Sequence, residues 1–200
     1  TATQLISAYR TKDISPVEVA EYLLGRIEAL DARINAICFI DPETTLAQAR
    51  ASEDRWMNGE PHGLLDGVPV AIKDLVLSKG WPTLRGSKTV DPKQPWEHDA
   101  PSVARLREHG AVFIGKSTTP EFGLKGTNDI PLTGITLKPW NLAKTPGGSS
   151  GGAGAALAAG YWRRDSVRHL DVRLVRAHSQ LRRGRLARQV LRRRVVRSTS

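Results

Sequence analysis

Cysteine is nearly absent: Cys38 is the only one among 200 residues. No disulfide can therefore close within the chain, and no thiolate cluster can hold a metal. Such a sequence reads as cytoplasmic. Long apolar runs are also missing, and none approaches the roughly 18 consecutive apolar residues of a membrane span. That excludes a transmembrane helix and a membrane partner. The opening TATQLISAYR has neither the basic start nor the continuous apolar stretch of a secretory leader. Aromatic residues make up 6% of the chain and its five tryptophans are scattered, which fits packing better than a stacking platform. The histidines, His62, His98, His109, His169 and His178, show no pair at metal-ligand spacing, so no metal and no other cofactor is expected.

Other absences are regional. Residues 161–200 contain no proline and no lysine, but 13 Arg against 2 Asp, a net charge of +11. Residues 1–160 hold all 12 prolines and 17 of the 18 glycines, with a net charge of −1. The overall charge of +10 is thus a property of the tail. The chain divides into a helical segment over 1–60, an α/β segment over 61–160 and an Arg-rich stretch over 161–200.

Within the first segment, residues 3–10 form a short amphipathic run. Ser15-Pro16-Val17-Glu18 then combines an N-cap serine, a first-turn proline and a capping-box glutamate. A helix over about 16–30 follows, with Val19, Leu23, Ile27 and Leu30 on one stripe. Asp41-Pro42-Glu43 opens a second helix over about 43–57, and the two together read as a plain helical hairpin. The apolar run Val68 to Ile72, ending at Lys73-Asp74, suits a short buried strand. A helix over about 100–109, with Val103 and Leu106 inward, leads into a strand over 111–115. This order argues for an α/β sheet. Residues 131–148 are loop-like, and 151–159 suit a tightly packed helix.

Two segments carry chemistry. At the end of its strand, Lys73 reads either as a solvated lysine paired with Asp74 or, if buried, as a neutral amine able to act as a base. The second segment, Thr145 to Gly152 (TPGGSSGG), allows backbone conformations and close approaches closed to other residues. Backbone N–H groups and hydroxyls at a helix start also suggest a phosphate loop. Against that, a P-loop needs lysine and a hydroxyl residue after its second glycine, whereas Ala153 and Gly154 follow here.

Taken in order, GVPVAIKD, KGWPTLRGS, the stretch from Asp99 to Gly123, PLTGITLKPWN and TPGGSSGG resemble the amidase signature family over residues 1–160. Lys138, where the family more often has asparagine, is a minor departure. The resemblance implies a partial amidase-signature fold: N-terminal helices followed by the start of a mixed β-sheet with flanking helices, then a tail that is disordered or helical. It implies an enzyme that cleaves a small carboxamide through a Ser-Ser-Lys triad. On that mapping Lys73 is the buried base and Ser149 the bridging serine, with a cis peptide bond before it. Gly147, Gly148, Ser150 and Gly151 form the supporting loop. The loop from Lys116 to Glu121 and Gly123 lines the site, Gly123 contacting substrate. In the family mechanism the amine draws a proton through the bridging serine from a second serine, which attacks the carbonyl. The proton passes to the leaving amine, water hydrolyses the acyl-enzyme, and backbone N–H groups stabilise the oxyanion.

That second serine is expected 24 positions beyond Ser149, where this chain has Arg173. No glycine-rich segment of the required type surrounds it, and Ser166 lacks the glycine setting of a substitute. The chain is therefore expected to be a truncated, inactive form, whether the tail is native or the product of a frameshift in a GC-rich gene. One alternative is a non-catalytic fragment whose basic tail, with Leu170, Leu174 and Leu181 at helical spacing, binds anions or nucleic acid without sequence specificity. Another is the amidase subunit of a tRNA-dependent amidotransferase. Uncovered strand edges predict a homo-oligomer or a second chain over the core.

Overall fold

The computed structural model describes residues 1–161. The expectations for the tail, including Arg173, Ser166, His169, His178 and the basic helix, lie outside the described residues. Five helices and five short strands follow one another: α1 (Ala2–Arg10), α2 (Pro16–Ile34), β1 (Ile37–Phe39), α3 (Pro42–Asn58), β2 (Pro69–Lys73), α4 (Pro101–Glu108), β3 (Val112–Ser117), β4 (Asp129–Ile130), β5 (Gly134–Ile135) and α5 (Gly151–Ala159).

The capping signals hold atom by atom. Ser15 accepts from the Glu18 N–H, and the Glu18 carboxylate accepts from the Ser15 N–H, closing the capping box in front of α2. Asp41 caps α3 by accepting from the Thr44 N–H at 3.0 Å. The helix expected over 16–30 runs on to Ile34, ending where Asn35 adopts φ 54° and ψ 52°. Of its predicted stripe, Val19, Leu23 and Ile27 are buried, whereas Leu30 is only half-buried.

The main sheet is ordered β1–β3–β2, β3 pairing parallel with β2 and antiparallel with β1. It is mixed, as expected, but its first strand comes from the segment read as a helical hairpin. The three residues of β1 are too few to show an alternating pattern. Strand β1 meets only the distal half of β3. Lower down, α3 replaces it: Thr45 Oγ1 donates to the Phe113 carbonyl at 2.7 Å, and the Phe113 N–H donates to Gln48 Oε1 at 2.8 Å. Residues 131–148 are mostly loop, with the small β4–β5 hairpin at their start.

Alternation along β2 and β3 divides the core. Ala71, Val112 and Ile114 face α2 and α5, meeting Leu23, Ile27, Ala155 and Ala156. Val70, Ile72 and Phe113 face the other way, onto Val103 of α4 and Trp81. Every residue from Ala111 to Pro120 is buried, so β3 is the strand around which both layers assemble.

Candidate active site

Lys73 is the last residue of β2, and Ser149 and Ser150 lie at the turn into α5. The lysine Nζ donates to Ser149 Oγ at 2.9 Å and to Ser150 Oγ at 2.8 Å. These residues are 76 and 77 positions apart in sequence, so the fold has to bring them together. The peptide bond between Gly148 and Ser149 is cis. Thr119 Oγ1, just beyond β3, donates to the Ser149 carbonyl at 3.1 Å and ties the turn to the sheet.

Each glycine of the turn has its own steric reason. Gly147 adopts φ +91°, a region that side-chain-bearing residues avoid. A Cβ on Gly148 would lie 2.8 Å from the Lys125 carbonyl oxygen, and one on Gly151 would lie 2.7 Å from Cβ and Cγ of Asn128. A Cβ on Gly152 would stand 2.5 Å from both the N and the O of Thr118. The first turn of α5 therefore lies directly on the end of β3, and the two serines project beside the end of β2.

Burial differs from expectation. Lys73 is half-buried, not enclosed, because β2 is an edge strand whose outer side no strand covers among the described residues. The enclosed lysine is Lys116, fully buried on β3. Its Nζ lies 3.3 Å from the Asp74 carboxylate and donates to the Val76 carbonyl at 3.2 Å and to Thr83 Oγ1. Asp74 is thus the partner of Lys116. Burial lowers the Lys116 pKa against the opposing pull of Asp74, and burial raises that of Asp74 despite Lys116 and the Gly86 and Leu84 N–H groups. Lys116 belongs to a strand, not to a site-lining loop, and its side chain points to the sheet face opposite Lys73. The one sequence signal for this pair is a lysine inside the apolar run AVFIGKS.

Gly123 ends a short 3-10 turn (Glu121–Gly123) a few residues beyond Thr119, with φ +71°. A Cβ there would meet Leu75 Cδ1 at 2.6 Å. Ser150 occupies the N-cap position of α5 but accepts no backbone N–H through its side chain; it accepts from Lys73 instead. Ser150 is thus in direct contact with the amine. His62, His98 and His109 are exposed, and no cluster of three or more His, Cys, Asp or Glu able to hold a metal occurs among the described residues. No helix among them is long and apolar enough to cross a membrane.

A strand-end lysine hydrogen-bonded to serines at the start of a small-residue helix, packed against a mixed sheet, places the chain among α/β proteins with a strand-to-helix site. The amidase family model matches residues 18–163, and the chain belongs to that family, the amidase-signature proteins. One subunit of the glutamyl-tRNA(Gln) amidotransferase of Salinispora tropica is 42% identical over 158 residues, 79% of this chain and 32% of that protein. A bacterial aryl acylamidase of the amidase signature family superposes with a TM-score of 0.74 at 33% identity, over 81% of this chain and 34% of its own. The peptide amidase of Stenotrophomonas maltophilia superposes with a TM-score of 0.76 at 27% identity over the same shares. The chain spans about a third of the length of the curated relatives it matches.

Proposed function

We propose that this chain carries the proton-transfer arm of an amidase that cleaves a small carboxamide, with Lys73 as base and Ser149 as bridging hydroxyl. The observation that supports this most is the 2.9 Å contact between Lys73 Nζ and Ser149 Oγ across the turn that holds the cis bond. In this reading Ser149 hands its proton to the amine while taking one from an attacking hydroxyl. The same proton later goes to the leaving nitrogen, so the base is regenerated. Ser150, also within hydrogen-bond reach of the amine, holds it in line; Gly147, Gly148 and Gly151 give the turn its shape, and Gly123 presents backbone to the substrate. The attacking hydroxyl belongs to neither of the segments described, and position 173, where the family pattern calls for it, is arginine. With arginine at that position, the 200-residue chain is proposed not to turn over amides.

A panel of aliphatic and aryl amides assayed for released ammonia tests both parts. The 200-residue chain should release none above background. A chimera in which residues 162–200 are replaced by the following part of the Salinispora tropica relative should hydrolyse amides and lose at least about a thousandfold in kcat on Lys73→Ala or Ser149→Ala. Turnover by the chain itself that Lys73→Ala abolishes would refute the inactive reading. A chimera indifferent to Lys73→Ala would refute the assigned role.

The identity of 39–42% to glutamyl-tRNA(Gln) amidotransferase subunits favours a second reading, in which the chain derives from one of those subunits and works with partner chains. Preference of the chimera for glutamine over aryl amides would support it.

A further inference from the structure

We infer that the buried Asp74–Lys116 pair is a positioning device that sets the direction of Lys73. The inference rests on Lys73 being the proton acceptor proposed above, but its geometry does not depend on turnover.

Lys73 ends β2 and Asp74 opens the turn that follows, closed by the Val76 N–H on the Lys73 carbonyl; the two residues share one peptide unit, so whatever fixes Asp74 constrains Lys73. Lys116 pairs in register with Ile72, and Ser117 with Lys73. Lys116 and Asp74 therefore share the α4 face of the sheet while Lys73 is directed toward α5 and the serines. On the α4 face Asp74 is gripped from three sides. Its carboxylate accepts from the Leu84 and Gly86 N–H groups, each at 3.2 Å, and faces Lys116 Nζ at 3.3 Å. The backbone is pinned as well: the Asp74 N–H donates to the Ser117 carbonyl at 3.0 Å, the Val76 N–H donates to the Lys73 carbonyl at 2.9 Å, and Lys116 holds the Val76 carbonyl. Rotation of the peptide joining residues 73 and 74 would have to break these contacts together.

Stability alone does not account for the pair. Its side chains are 0% and 4% exposed, and replacing such an ion pair with apolar residues is often neutral or stabilising. Its location supplies the reason: it sits behind the one lysine that must meet Ser149 across 76 positions of sequence.

The test compares amine reactivity in the full 200-residue chain. Lys73 and the exposed Lys79 are acetylated competitively and the ratio of their rates is read by peptide mass spectrometry. Lys116→Met and the double variant Lys116→Met with Asp74→Asn should each raise the Lys73/Lys79 ratio at least about threefold as the end of β2 loosens. Thr83→Val removes a single hydroxyl from the cluster at nearly constant volume, leaves the fold in place, and should raise the ratio about twofold. A ratio unchanged in Thr83→Val, or in a double variant that melts like the parent, would overturn the inference by reducing the pair to packing. Failure of the amidase reading is separate: a chimera indifferent to Lys73→Ala would leave the labelling ratios as they are.

Discussion

Alanine placed at two positions of α5, two residues apart, should change stability in opposite directions. At Gly152 the added methyl would lie 2.5 Å from the backbone N and O of Thr118. Thr118 cannot move aside, because its N–H donates to the Ala36 carbonyl at 2.9 Å and its hydroxyl bonds Thr136 at 2.8 Å and accepts from Asn128 at 3.0 Å. Overpacking costs typically about 1–3 kcal/mol, and a collision with fixed backbone belongs at the upper end. For a chain of this size about 3 kcal/mol corresponds to a melting point lower by roughly 6–12 °C. Gly154 is exposed with nothing within 4 Å of its added Cβ. Alanine there gains the helix propensity that glycine lacks, about 0.5–1 kcal/mol, or a rise of roughly 1–4 °C. Melting followed by circular dichroism on Gly152→Ala and Gly154→Ala reads both. If the two shift the melting point in the same direction, the described seating of α5 on the end of β3 is wrong, and with it the approach of Ser149 to Lys73.

Arg55 forms a two-pronged ion pair with Asp66, at 2.8 and 2.6 Å, and the carboxylate is 0% exposed. Arg55→Ala leaves a buried, unpaired charge and should cost about 3–5 kcal/mol in urea titration at pH 7. Burial pushes the Asp66 pKa up, but the Arg55 guanidinium and the His62 N–H, both hydrogen-bonded to the carboxylate, hold it below the usual value. The folded value being the lower one, this stabilisation is complete above the unfolded carboxylate pKa of about 3.9 and is lost as pH falls through the folded value. Asp66→Asn should flatten the acid limb of the stability profile, and a limb as steep as the parent's would contradict the assignment. Ser15→Ala removes one half of the capping box before α2 and should lower stability by about 1 kcal/mol; an unchanged melting midpoint would show that α2 is held by packing alone.

Much of this fold was legible because local chemistry and tertiary structure agree. Ser15, Asp41 and the apolar stripe of Val19, Leu23 and Ile27 announce helices that form where they should. What escaped notice depended on partners distant in sequence. Strand β1 exists because Ile37 and Phe39 meet Ser117 and Lys116, and nothing within three residues shows that. The burial of Lys73 was overestimated because exposure at a sheet edge is set by what lies beside the strand. Lys116 reads from the sequence as part of a site-lining loop because Asp74, its true partner, pairs equally well on paper with its chain neighbour Lys73.

That mispairing shows why a motif read linearly can locate a site without describing it. Lys73 and Asp74 are adjacent in sequence, but one ends strand β2 and the other opens the turn after it, and they enter different networks. One holds Ser149 and Ser150; the other joins Lys116, Thr83 and the amides of Leu84 and Gly86. The turn carrying Ser149 is fixed through Thr119, and Thr119 follows the strand that carries Lys116. Both halves of the proton arm are therefore referred to β3, which among the described residues is the one strand of this sheet hydrogen-bonded on both sides. The distance between amine and hydroxyl is then set by backbone that is buried throughout, and the half-exposed Lys73 can hold its position without being enclosed itself.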